Sequence, residues 1–292
     1  MTITKPSLLP ELYLPSRVNQ HWLESGMDSL ELCLNREHFL SYPHKIEYHY
    51  NSQGFRDAEW PDDMLELKEA VWCIGDSFTV GIGSPAEFTW PQRLSSAINK
   101  RTINVSMDGA SNEWIARIAQ HIISAVNPQK IVIMWSYTHR REHSNTLLDD
   151  EHRRTQSIKA TVQEDLDNLL ACKKQVDSVT SNAVVNFAIP GAHPGVLSSV
   201  TECWNKIRDP SWPVDAPATA AEFMALPSSM LLEIKNLHKL QDDIQNTLEF
   251  ADFLKTQHNI MLVQRLDIAR DGHHFDKITA DWVAQQAVCC LE

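Results

Sequence analysis

The chain contains no CxxC pair. Its six cysteines are scattered, and Cys289 and Cys290 are adjacent. Neither a zinc ribbon nor a disulfide framework is indicated, and reduced thiols in a cytoplasmic compartment are the plain expectation. No apolar run approaches the ~18 residues of a membrane-spanning helix, and Met1-Thr2-Ile3-Thr4-Lys5-Pro6 lacks the apolar stretch of a signal peptide. Basic clusters are missing too. The formal net charge is −12, and arginines gather only in short pairs such as Arg140-Arg141 and Arg153-Arg154. Nucleic acid and anionic membrane both demand basic patches, so neither is expected as a main partner. Internal repeats and low-complexity tracts are absent.

What is present is enough apolar material for a substantial core: 43% of the 292 residues are hydrophobic, with nine tryptophans. From Ala70 onward short apolar runs alternate with helical periods. Val71–Ile74, Thr102–Val105, Ile131–Trp135, Ala183–Ile189 and Ile260–Val263 are rich in β-branched and aromatic residues and read as strands. Between them, three- and four-residue spacings predict helices through Ile115–Val126, Ile158–Val176 and Leu237–Ala251, and a last helix is expected over Lys277–Val288. Strand alternating with helix predicts an α/β fold, a three-layer α/β/α domain with a mainly parallel sheet. In such sheets ligands gather at the carboxyl ends of the strands. Trp72, Trp135 and Trp282 are expected in the core, and so is the Cys73 thiol.

Two regions break the rhythm. Residues 1–66 read as an N-terminal extension packing on a main domain of residues 67–292. Within it Lys45–Tyr50 alternates like an edge strand and Asn51–Arg56 reads as a turn. Residues 191–227, proline-rich and carrying Trp204 and Trp212, are long for a connection and read as a lid or pocket wall.

The chemistry-bearing pieces stand at opposite ends. Gly75-Asp76-Ser77 follows the first buried strand directly, so the serine hydroxyl stands at a strand exit. Asp271-Gly272-His273-His274 stands before the last helix. A serine nucleophile, a histidine base and a carboxylate to orient it suffice for acyl transfer through a covalent intermediate. Asp76 reads as a turn-former bonding local N–H groups, and His273 as a surface neighbour or supporting residue. These blocks make the chain resemble the SGNH (GDSL-type) hydrolases over residues 70–292.

That resemblance implies a flavodoxin-like five-stranded sheet, Ser77 as nucleophile, His274 as base and Asp271 as its orienting carboxylate. It also implies an oxyanion hole from the N–H groups of Ser77 and Gly109, the glycine after the second core strand. No metal or cofactor is implied. The substrate is then a small-molecule or glycan ester, with short acyl groups on a carbohydrate as one class, and hydrolysis or acyl transfer as the reaction. The third family block departs from the pattern, because the chain has Ser136-Tyr137-Thr138 where Gly-x-Asn is usual. Thr138 aligns with the asparagine, and Tyr137, Arg140 and Arg141 are further candidates to line the site. This departure motivates a second reading, a weak or inactive homologue serving as a binding module. A remote third reading takes His139-Arg140-Arg141-Glu142-His143 as the H-x-x-E-H zinc motif, which works only on a helix.

Overall fold

A computed structural model describes residues 9–24, 28–29, 45–138, 140–142, 156–157, 162–189, 251–263, 266–267, 269–271 and 273–292. The segment 191–227, expected as a lid or pocket wall, lies outside them, as does the expected helix through Leu237–Ala251 apart from Ala251, which is helical together with residues 252–258.

Among the described residues the strands are β1 (His21–Leu23), β2 (Glu47–His49), β3 (Val71–Gly75), β4 (Thr102–Ser106), β5 (Lys130–Trp135), β6 (Arg140–Arg141), β7 (Gln156–Ser157), β8 (Ala183–Ala188) and β9 (Met261–Leu262). The α-helices are α1 (Met64–Glu69), α2 (Ser77–Val80), α3 (Trp90–Ile98), α4 (Asn112–Val126), α5 (Val162–Asp177) and α6 (Lys277–Leu291). None is long and apolar enough to cross a membrane.

The central sheet has the order β4-β3-β5-β8-β9. Every pairing within it is parallel, so the mainly parallel five-stranded sheet is observed. Side chains alternate across a strand, and the two faces therefore carry different cores. Trp72, Ile74, Ile103, Val105, Ile131, Ile133 and Trp135 face Trp114, Ile115, Ile118 and Ile122 of α4 and Leu166, Leu169 and Val176 of α5. On the other face Val71, Cys73, Val132, Met134 and Phe187 meet Trp90 and Leu94 of α3 and Val283, Ala284 and Ala287 of α6. Helices cover both sides, which makes the three layers. The core tryptophans Trp72 and Trp135 are fully buried, and Trp282 is half-buried edge-on to Phe187.

The helices start and stop where side chains satisfy their ends. Asp63 accepts the Leu65 and Glu66 N–H groups ahead of α1, and Ser111 accepts the Trp114 N–H ahead of α4; such caps occupy donors that the first turn leaves over. Asn99 and Asn127 close α3 and α4 in the left-handed conformation, which asparagine tolerates.

The 45–50 edge strand is present as β2, pairing antiparallel with β1. Ile46, Tyr48 and Tyr50 pack against Val80 and Ile82, with Trp22 alongside. Arg140–Arg141 forms a strand that pairs with Gln156–Ser157. That is a correction to the H-x-x-E-H zinc reading, since extended backbone at 140–141 removes the helical face that the motif needs. His139 and His143 lie outside the described residues.

Candidate active site

Gly75 ends β3 because nothing larger fits. A Cβ there would run into the Thr79 side chain and stand 3.0 Å from the Met134 carbonyl oxygen. Thr79, two residues after Ser77, is turned inward and accepts the Trp90 indole N–H at 3.2 Å. Asp76 caps α2 by accepting the Phe78 N–H at 3.0 Å. Ser77 is therefore the first residue of a short helix at the carboxyl edge of the sheet, and it is buried, with 2% of its surface exposed. Gly81 ends that helix with φ +76°.

The opposing loop lies between β9 and α6. Asp267 holds its far end: one carboxylate oxygen accepts from Asp276 N–H (3.1 Å), Thr279 N–H (3.1 Å) and the Thr279 hydroxyl (2.6 Å), the other from Ile278 N–H (2.6 Å). The Ala269 N–H donates to the His274 carbonyl at 2.7 Å, closing the turn. Within it one oxygen of Asp271 accepts the N–H groups of His273 and His274, each at 3.0 Å. The other oxygen stands 2.5 Å from His274 Nδ1, and His274 Nε2 stands 2.8 Å from Ser77 Oγ. A carboxylate only accepts, so Nδ1 carries the proton and Nε2 offers its lone pair to the serine hydroxyl. Burial acts to raise the Asp271 carboxyl. The hydrogen bond and charge of His274, with the N–H groups of His273 and His274, outweigh it and hold the group below its ordinary range.

Three aromatic contacts fix the histidine further. The Phe78 ring lies 4.6 Å from that of His274 and 5.8 Å from that of His273, and Phe275 packs on Phe78 at 5.3 Å. His273 is exposed, and its Nε2 is hydrogen-bonded to the Tyr137 hydroxyl at 3.0 Å. It thus joins the histidine loop to the loop after β5.

That second loop is tied down by Asn112, which the sequence reading did not single out, and by Asp76 and Arg140, which it did. Asn112, opening α4, accepts the Ser136 N–H at 2.8 Å and donates to the Ser136 carbonyl at 3.3 Å. The Ser136 hydroxyl donates to Asp76 at 2.7 Å, and Arg140 donates to the same Asp76 oxygen at 3.0 Å while its guanidinium lies 4.6 Å from the centroid of the Tyr137 ring. Asp76 is thus a turn-former, as expected, and its buried carboxylate also pairs with the partly exposed Arg140. Burial pushes its carboxyl above the usual range despite Arg140, the Ser136 hydroxyl and the Phe78 N–H. Arg141 points away from Asp76 and bonds Asp165 at 2.8 Å. Thr138 is buried. Gly109 has φ +74° and stands in the turn after β4, where the Met107 N–H bonds the Gly75 carbonyl at 3.2 Å.

The extension reaches the same two loops. Buried Arg56 donates to four backbone carbonyls: Val80 (3.1 Å), Gly81 (2.6 Å), Ser84 (2.9 Å) and Glu47 (3.0 Å). Its guanidinium lies 4.1 Å from the centroid of the Tyr48 ring. The Tyr48 hydroxyl accepts the Gly83 N–H at 2.8 Å and donates to Asp28. The Gly83 carbonyl in turn accepts the Arg270 N–H at 3.1 Å, and the fully buried Arg270 side chain donates to the Asp28 carbonyl (2.7 Å) and to Glu24 (2.6 Å). One network therefore runs from β2 through the segment after α2 to the residue preceding Asp271.

No family model and no curated protein matches the chain. Among solved structures it is similar to a member of the lipolytic protein G-D-S-L family from Veillonella parvula, at 13% identity and TM-score 0.39, over 75% of this chain and 96% of that one. It is similar to a lipase/acylhydrolase from Enterococcus faecalis at 14% identity and TM-score 0.37, over 76% and 94% of the two chains. A carbohydrate acetylesterase family member from Sinorhizobium meliloti matches at 13% identity and TM-score 0.34, over 76% and 99%. Likenesses of this grade assign no residue a role. The resemblance to the SGNH (GDSL-type) hydrolases rests on this chain's own Gly75-Asp76-Ser77 and Asp271-x-x-His274 blocks, which the parallel sheet brings together at its carboxyl edge.

Proposed function

We propose that this protein is a serine hydrolase that cleaves or transfers acyl esters through an acyl-enzyme on Ser77. The observation that carries the reading is the contact of His274 Nε2 with Ser77 Oγ at 2.8 Å, made while Asp271 holds Nδ1. In the first half-reaction Oγ attacks the ester carbonyl carbon as Nε2 takes its proton. The resulting oxyanion faces the N–H groups of Ser77 and Gly109, with Thr138 as the third donor. Collapse of the intermediate expels the alcohol, which leaves with the proton from His274. In the second half-reaction a water, or a second hydroxyl where the acyl group is transferred, loses its proton to His274 and attacks the acyl carbonyl, releasing Ser77. Asp271 keeps the imidazole in one tautomer and offsets the charge it gains. Small-molecule or glycan esters with short acyl groups are the proposed substrate class.

A second reading, a weak or inactive relative serving as a binding module, draws on two features. Thr138 stands at the place of the third block's asparagine, and Ser77 is 2% exposed. Loss of one oxyanion donor typically lowers the rate by about a hundred- to a thousand-fold.

A fluorophosphonate probe separates the two readings without knowledge of the substrate. Labelling of the intact protein at a single serine, mapped to Ser77 and lost in Ser77→Ala together with hydrolysis of p-nitrophenyl acetate, is the expected result. Unlabelled wild-type protein, or equal labelling of the alanine variant, would overturn the proposal.

A further inference from the structure

Away from Ser77, the described residues contain one group of side chains whose ligand atoms converge: His21, Glu47 and His49, all within 4.8 Å of one another. The antiparallel register of β1 and β2 sets His21 directly opposite His49, with Glu47 two residues along β2. Alternation turns the intervening pair, Trp22 and Tyr48, to the other side, where they pack on Val80 and Ile82. The three polar side chains consequently share the outer face, half open to solvent.

Their disposition is specific. The two imidazole rings are stacked with centroids 3.9 Å apart and planes 10° from parallel. Both Nε2 atoms address the same carboxylate oxygen, Glu47 Oε2, at 3.0 Å from His49 and 3.6 Å from His21. Lys45 engages the other oxygen at 2.7 Å, which leaves Oε2 to the histidines.

We propose that His21 Nε2, His49 Nε2 and Glu47 Oε2 bind a divalent transition-metal ion of the zinc class, with water completing the coordination. Two imidazoles and one carboxylate suit Zn²⁺, Cu²⁺ and Ni²⁺, and not the all-oxygen preference of Mg²⁺ or Ca²⁺. Ligand atoms ~2.1 Å from a shared ion stand ~3.4 Å apart in tetrahedral geometry. Small rotations of these side chains close the remaining gap. Glu47 brings one negative charge to the site. The ion would clip β1 to β2 and so tighten the strand pair whose inner residue Tyr48 holds Gly83. This site is independent of the Ser77 chemistry.

The test uses the full chain carrying Ser77→Ala, stripped by chelator and dialysed. ZnCl₂ is titrated by calorimetry, and the melting temperature is followed against ZnCl₂ and MgCl₂. One zinc per chain is expected, with a melting temperature that rises with zinc concentration as binding to the folded state requires, and that MgCl₂ leaves unchanged. His21→Ala and His49→Ala should each weaken zinc binding by about ten-fold or more, while their melts without metal stay at the parent value. His49→Gln serves in place of alanine where the latter melts early. Zinc binding of equal affinity in the parent and both histidine variants, or no zinc binding by the parent, would sink the proposal. Because the Ser77→Ala background removes the nucleophile, either result leaves the hydrolase reading to its own labelling test.

Discussion

At the scale of single residues the site depends on where protons sit. Asp271 receives two N–H groups on one oxygen and the imidazole on the other, and those contacts depress its carboxyl below the ordinary 3.8. A group with a depressed folded-state value adds stability that is fully present above the unfolded value and is lost as pH falls through the folded one. Asp271→Asn should therefore unfold at lower urea than wild type at pH 6. The gap should narrow as pH falls below 3.8, because the wild type surrenders a contribution that the variant never had. Urea midpoints from pH 6 down to the acid limit check this, and a gap that does not change with pH would refute it. That Ser77, Asp271 and His274 would meet was legible in the sequence, because serine–histidine chemistry needs particular side chains at particular spacings. The pairing of Asp76 with Arg140 was not: an arginine after a strand carries no mark of a partner 64 residues away.

At the scale of elements, the segment between α2 and α3 joins the serine to the histidine loop. Gly83 has φ +81°, and a Cβ there would stand 2.9 Å from Asp271 Oδ1 and 3.0 Å from Ala269 Cβ. Gly83→Ala thus combines left-handed strain, on the order of 1–2 kcal/mol, with pressure on the carboxylate that orients His274. Gly54 supplies the comparison. Its φ is +87° and its added Cβ would press on the Leu14 carbonyl, in the extension rather than beside Asp271. Both alanine variants should melt earlier than wild type. Only Gly83→Ala should also slow labelling of Ser77 once folded, read as probe labelling rate per folded molecule at a temperature below both melts. Equal labelling rates in the two variants would show that Gly83 matters only to stability. The five central strands were readable because β-branched runs bounded by polar residues have few other uses. Helix α3 escaped notice: Trp90, Leu94 and Ile98 keep the four-residue step, but one such row over nine residues is too short to stand out. Arg56 was unreadable for a different reason. Its partners are backbone carbonyls, and a carbonyl looks the same at every residue.

At the scale of the molecule the open issue is whether residues 1–66 decorate a self-sufficient domain or complete it. The contacts argue for completion. Ile46, Tyr48 and Tyr50 cover Val80 and Ile82 at the end of the serine helix, burial worth ~1.5–3 kcal/mol for each large apolar side chain removed from water. Tyr48 supplies the acceptor for Gly83, and the buried Arg270 guanidinium donates to the Asp28 carbonyl and the Glu24 carboxylate. Loss of those acceptors would strip two hydrogen bonds from a charged group with its side chain 1% exposed, and each hydrogen bond to a charged group is worth about 1.5–3 kcal/mol. The energies fall on the two loops that meet at Ser77 and His274, not on the distant edge of the sheet. A chain beginning at residue 51 is therefore expected to melt well below the full-length protein, to bind a dye for exposed apolar surface, and to lose fluorophosphonate labelling of Ser77 even below its melt. The matched variant Glu24→Gln keeps the chain intact and weakens only one Arg270 contact, so it should fall between the two in melting temperature while retaining the label. If the shortened chain melts with the full-length protein and labels at the same rate, residues 1–50 are dispensable to the fold and to the site.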